Sequence, residues 1–103
     1  MPAALVTGGA GRIGSHVCAL LARAGFDVRA FDLPSVDFGA ATASPGVTAI
    51  RGELTDAADV RAAAAGVDVA VHLAALLPPA SEHDRARTMA VNLDGTRLLA
   101  ESL

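Results

Sequence analysis

The sequence contains no tyrosine, no tryptophan and no lysine, and its aromatic share is 3%, all of it phenylalanine. A core must therefore be assembled from the Ala, Val, Leu and Ile that dominate its 52% hydrophobic content, a composition that suits parallel strands covered by helices. Cys18 is the only cysteine. No disulfide framework and no thiolate metal spacing can be drawn, in keeping with a reducing compartment, and no metal site is expected. Cys18 itself reads as a small apolar residue inside a helix. Positive charge is scarce as well. Eight Lys+Arg against eleven Asp+Glu give −3 and a pI near 5.4, which removes the basic footprint of a nucleic-acid binder. No apolar run approaches the roughly 20 residues of a bilayer span. The Met1-Pro2 start has no basic n-region, so neither a secretory signal nor a transit peptide is indicated and a cytoplasmic location is the default expectation. At 103 residues, against about 150 per domain, the chain is one domain at most.

What the sequence does have is glycine in a particular place. Thr7-Gly8-Gly9-Ala10-Gly11-Arg12-Ile13-Gly14 carries glycines at three-residue spacing between the short apolar run Ala3-Ala4-Leu5-Val6 and an amphipathic segment. In that segment Ile13, Val17, Leu20, Leu21 and Ala24 recur at helical spacing, and Gly25 is placed to end it as a C′ residue. Glycines in such a turn let the chain bend sharply, let a pyrophosphate approach the backbone, and let the helix pack close to its strand. The helix N-terminus then offers unpaired N–H groups to the anion. Asp32 lies eighteen residues past Gly14 and ends the run Asp27 to Asp32, which reads as a second strand. That is about where a dinucleotide fold needs an acid for the adenosine ribose.

Further along, Leu33 to Gly46 is rich in Pro, Ser, Gly and Ala and reads as a loop. Val47-Thr48-Ala49-Ile50 has strand chemistry. Asp56 is an N-cap for an alanine-rich helix over 57–65, which Gly66 ends. Val67 to Ala75 is apolar at nearly every position, as a central parallel strand is. Pro78 and Pro79 end regular structure, Ser81 with Asp84 resembles a helix start, and Met89, Leu93, Thr96, Ala100 and Leu103 mark one helical face. His72 is expected to be a satisfied histidine of the core, or one that supports the residues around a site, rather than a catalytic one. Ser81, His83 and Asp84 are too close in sequence on a helix start to form a triad and read as capping. Asp56, Asp59, Asp68 and Asp94 read as capping or solvated. The order β-α-β-loop-β-α-β-α implies a parallel sheet with helices on both faces. Ligands of such doubly wound sheets bind beyond the carboxyl ends of the strands, where Gly8 to Gly14, Asp32, Gly52-Glu53 and Ala74-Ala75 all fall.

With these pieces in order, the chain resembles the N-terminal part of the extended short-chain dehydrogenase/reductase family, of the NAD-dependent epimerase/dehydratase type. The resemblance rests on the glycine turn, Asp32, Gly52-Glu53-Leu54, His72-Leu73-Ala74-Ala75 and Asn92-Leu93-Asp94-Gly95-Thr96, and covers essentially all of the chain. It implies the first four strands, in the order 3-2-1-4, of a single Rossmann-type NAD(P)-binding domain that is truncated here. It implies that Gly8, Gly11, Arg12, Ile13 and Gly14 approach a pyrophosphate and that Asp32 and Leu33 lie at the adenosine ribose. Glu53 and Leu54 would flank the adenine. Leu73, Ala74 and Ala75 would line the path to the nicotinamide ribose, and Asn92 would reach the cofactor from the last helix. Glu53 departs from the family's usual Asp. Arg12 could serve a 2′-phosphate, but the Asp32 carboxylate would repel one, so the resemblance favours NAD over NADP.

The same resemblance makes the absences informative. Redox-active members use a Tyr followed four residues later by a Lys as the acid–base pair, and this chain has neither residue. The chain alone is expected to be inactive and to supply the NAD-binding portion of an oxidoreductase or epimerase acting on a sugar-like hydroxyl. A homodimer of the full-length protein is the assembly to look for. The run Val91 to Arg97 is similar to that of the family's sugar-acid dehydrogenase branch. Two other readings are a non-catalytic dinucleotide sensor and an inactive structural fragment. Four parallel strands would also leave the Val67 to Ala75 strand with a bare edge, which invites self-association.

Overall fold

The computed structural model describes residues 1–74, 86 and 89–103. The expected turn at Pro78 and Pro79, the helix start at Ser81 and Asp84, and the site residue Ala75 lie outside the described residues. Four strands, β1 (Ala3–Thr7), β2 (Asp27–Asp32), β3 (Val47–Arg51) and β4 (Val69–His72), form one parallel sheet in the order β3-β2-β1-β4. The alternating pattern implies a doubly wound parallel sheet, and the order is the Rossmann-type one that the resemblance implies.

Helices α1 (Arg12–Arg23) and α3 (Ala57–Ala64) connect the strands. A π-helical turn, Ala90–Asp94, leads into α4 (Gly95–Ser102). The loop expected over 33–46 holds one short helix, α2 (Gly39–Thr42), whose Ala41 and the preceding Phe38 are buried. Arg51 pins this segment. Its guanidinium lies 4.5 Å from the centre of the Phe38 ring and donates to the carbonyls of Pro34 and Val36 at 3.3 Å.

Strand geometry sends alternate residues to opposite faces, so β1 feeds two cores. Leu5 packs with Phe31, Leu54, Val60, Ala63 and Leu99 on the α3/α4 side. Val6 packs with Cys18, Val28, Ala30, Phe38 and Ala41 on the α1/α2 side. Helix ends are satisfied in detail. The Asp56 carboxylate accepts the N–H groups of Ala58 and Asp59 at the start of α3, and Arg29 donates to the carbonyls of Ala63 and Ala65 at 2.7 Å, a cation where the helix dipole is negative. Gly25 and Gly66 take the left-handed backbone, φ +97° and +72°, that ends α1 and α3.

Three expectations are corrected. Ile13 and Leu20 are 68% and 62% exposed, because α1 turns Gly14, Val17, Cys18 and Leu21 to the sheet. Its closest approach is made by a glycine, which carries no hydrophobic signal, so the apolar pattern is read one residue out of phase. In the last helix the expected face of Met89, Leu93, Thr96, Ala100 and Leu103 is exposed, and Val91, Leu98 and Leu99 pack on the core. Two apolar stripes compete there, and the π-helical turn hands the sheet the second. Finally, the strand over 67–75 is shorter, and it lies at the sheet edge that the order 3-2-1-4 implies, although its apolar run reads as that of a central strand. Among the described residues β1 is its one strand partner, and Val69 and Leu73 are each 40% exposed.

Candidate functional site

The carboxyl ends of all four strands open into one cleft of about 250 Å³, lined by Gly8, Gly11, Phe31, Asp32, Leu33, Gly52, Glu53, Leu54, Leu73, Ala74 and Val91. Eight of the sequence-expected site residues thus meet in one place. Arg12, Ile13, Gly14 and Asn92 do not line it. Arg12 and Ile13 lie exposed on the first turn of α1, Gly14 is buried beneath that turn, and Asn92 is exposed on the π-helical turn next to Val91.

The floor is built by glycine. Gly8 has φ +68°, and a Cβ there would lie 3.0 Å from the Ala74 nitrogen. A Cβ at Gly14 would fall against the Gly8 carbonyl. Close approach of α1 to the turn after β1 therefore requires glycine at 14, and the approach of that turn to the loop after β4 requires it at 8. The turn leaves the N–H groups of Arg12, Ile13 and Gly14 without a backbone acceptor among the described residues, and Gly11 caps α1 with no side-chain bond. Unpaired amides at the start of a 12-residue helix fit an anion.

Asp32 stands at the end of β2. One carboxylate oxygen accepts the Ala10 N–H at 3.1 Å and the other the Leu33 N–H at 2.9 Å. The acid thus ties the glycine turn to the second strand while its charge lines the cleft. Glu53 is held through a residue read from the sequence as capping or solvated. Asp59 accepts the Glu53 N–H at 2.9 Å, fixing the loop after β3. Asp59 is the third helical position after the cap Asp56, where a capping-box acid reaches back along the chain. That spacing was the available signal.

Thr7, which opens the glycine motif, and Thr96, read as part of a helical face, carry roles at the site that the sequence does not show. Thr7 is buried, and its hydroxyl oxygen accepts from the N–H groups of Leu73 and Ala74 at 3.1 and 3.3 Å. It bonds the His72 Nδ1 at 2.5 Å, and His72 Nε2 bonds Thr96 at 2.9 Å. His72 is therefore the satisfied, half-buried histidine expected. Burial pushes its pKa below the ordinary 6.5, because the charged form is disfavoured away from water. The folded chain thus binds this proton less readily than the unfolded chain. The resulting stability is present in full above the unfolded value and is lost as pH falls through it toward the lower folded value. Urea midpoints for the wild type should drop between about pH 7.5 and about pH 5 more than for His72→Gln; equal drops would assign the acid sensitivity to other groups.

The comparisons with known proteins follow this geometry. Residues 4–103 match the model of the NAD dependent epimerase/dehydratase family, and the chain belongs to that family. It is 36% identical to a 3-beta-hydroxysteroid dehydrogenase of Mycolicibacterium neoaurum, over 95% of this chain and 27% of that protein. A short-chain dehydrogenase/reductase superfamily protein of Agrobacterium tumefaciens, solved with bound NAD, superposes with a TM-score of 0.81 at 39% identity, covering 97% of this chain and 28% of that one. The UDP-glucose 4-epimerase of Thermus thermophilus in complex with NAD gives 0.82 at 33% identity, covering 97% and 33%. The chain thus spans about a quarter of the length of the curated relatives it matches.

Proposed function

We propose that the cleft binds NAD and that the chain is the cofactor-binding portion of an NAD-dependent oxidoreductase or epimerase acting on a secondary hydroxyl. The observation that carries this reading is the convergence of an uncapped helix start, a glycine floor and the Asp32 carboxylate on one cleft. The unpaired amides of Arg12, Ile13 and Gly14 take the pyrophosphate, and Gly8 and Gly11 admit it to the backbone. Asp32 with Leu33 takes the adenosine ribose and disfavours a 2′-phosphate. Glu53 and Leu54 flank the adenine. Leu73 and Ala74 line the nicotinamide side, with Ala75 following them in sequence, and Asn92 approaches from the helix.

When bound, NAD would supply hydride exchange with a carbinol carbon. The residues of this chain bind and orient it, and the acid–base chemistry belongs to groups the chain does not contain, since it has neither Tyr nor Lys. The family resemblance favours a sugar-like substrate for the whole protein. A second reading, a sterol-like alcohol, is favoured by the 36% identity to a hydroxysteroid dehydrogenase. Both are secondary alcohols, and the cofactor half serves either.

Calorimetric titration with NAD and NADP tests the reading. NAD should bind, and more tightly than NADP; tighter binding of NADP, or of neither, would contradict it.

A further inference from the structure

The bonds around His72 have a direction. The Thr7 hydroxyl oxygen accepts the Ala74 N–H and a Leu73 N–H shared with the Thr7 carbonyl. Its own proton has one acceptor among the described residues, His72 Nδ1. Nδ1 is then unprotonated, so Nε2 carries the hydrogen and donates to the Thr96 hydroxyl at 2.9 Å. The Thr96 proton goes on to the Asn92 carbonyl at 2.8 Å. Each donation dictates the next. One chain of hydrogen bonds runs from the Leu73-Ala74 amides, through β1 and β4, to the π-helical turn.

The two ends of this chain are the two sides of one wall. Leu73 and Ala74 line the cleft from β4, and Val91, next to Asn92, lines it from the helix. Ordinary α-helical bonding does not fix that side, because Ala90–Asp94 is π-helical, and such segments occur at functional sites. At the opposite end of the cleft, Asp32 and Asp59 anchor the loops after β2 and β3 without any part in this chain.

We propose that His72, acting through Thr96, is a positioning residue that locks the π-helical turn to the β4 loop and so sets the wall facing the nicotinamide half of the cofactor. The proposal rests on the reading of the cleft as an NAD site. It assigns His72 no contact with cofactor or substrate. It also separates the cleft into an adenosine end held by acids and a nicotinamide end held by a histidine relay.

Thr96 is exposed, so it can be altered with little disturbance of the core. In the full 103-residue chain, Thr96→Val should weaken NAD binding about three- to tenfold, the equivalent of one neutral hydrogen bond. ADP, which lacks the nicotinamide half, should bind the variant within about twofold of the wild type. Thr96→Ser, which restores the hydroxyl, should recover NAD affinity. Nitrogen-15 spectra of the His72 ring should show the neutral Nε2–H tautomer at neutral pH. A Nδ1–H tautomer, an unchanged NAD affinity in Thr96→Val, equal losses for NAD and ADP, or a serine variant no better than valine would each overturn the positioning role. Failure of the wild type to bind either nucleotide would instead strike the cofactor reading, and the role assigned to the wall with it.

Discussion

Gly14→Ala is expected to reduce NAD binding at least about tenfold, the effect of a moderate overpacking cost in an otherwise dense contact. The added methyl would meet the Gly8 carbonyl and would lie 2.9 Å from the Gly9 Cα. Those atoms are backbone, so no flexible side chain can swing aside. Gly8 in turn is fixed by its φ of +68° and by its approach to Ala74. Relief must come from moving the start of α1 away from β1, and that displaces the three amides proposed to hold the pyrophosphate. The melting temperature should fall as well, by several degrees per kcal/mol in a domain of this size (roughly 4–8 °C). Gly25→Ala is the control. Its φ is +97° but nothing lies within 4 Å of an added Cβ, so it should cost stability, on the order of 1 kcal/mol, and leave NAD affinity unchanged. Equal losses of affinity in the two variants would show that the glycine floor has no special part in binding.

Asp32→Ala should lower NAD affinity by about ten- to a hundredfold and narrow the preference over NADP, reflecting the loss of hydrogen bonds to a charged acceptor. Two roles are removed together. The carboxylate anchors the N–H groups of Ala10 and Leu33, and it presents negative charge where a 2′-phosphate would lie. Asp32→Asn separates them. The amide keeps an oxygen acceptor for one backbone N–H but removes the charge, so its NAD affinity should fall between wild type and Asp32→Ala, while its discrimination against NADP should resemble that of the alanine variant. A wild-type chain that prefers NADP would contradict the assignment of Asp32 outright.

The glycine turn and the acid at the end of β2 were legible in the sequence because each is a local signal, whereas the strand order came from the family resemblance. Glycine spacing, a short apolar run and a polar strand end all survive without knowledge of the neighbours. Helix phase did not survive as well. On α1 the decisive residue is Gly14, invisible to hydrophobic patterning, so Ile13 and Leu20 were assigned to a face they do not occupy. On α4 a π-helical turn shifts the register, and no propensity argument locates such a turn. The bonds that Asp59, Thr7 and Thr96 make are not legible in the sequence for a related reason. Their partners are six, sixty-six and twenty-four residues away, and a side chain that fixes a distant loop looks from its own surroundings like an ordinary cap or core polar group. His72 was read correctly as satisfied, but its two partners come from β1 and α4 and needed the fold to be found.

The central claim is that one cleft at the carboxyl edge of the sheet accepts NAD in a fixed orientation. Titration of the isotopically labelled chain with NAD, followed by backbone amide shifts, tests it most directly. The expected result is saturable shifts at Gly8, Gly11, Gly14, Leu33, Glu53, Leu54, Leu73 and Ala74, with ADP reproducing those at the glycine turn, Leu33, Glu53 and Leu54 but not those at Leu73 and Ala74. Absence of saturable shifts, or shifts centred on the outer face of α3, would contradict it.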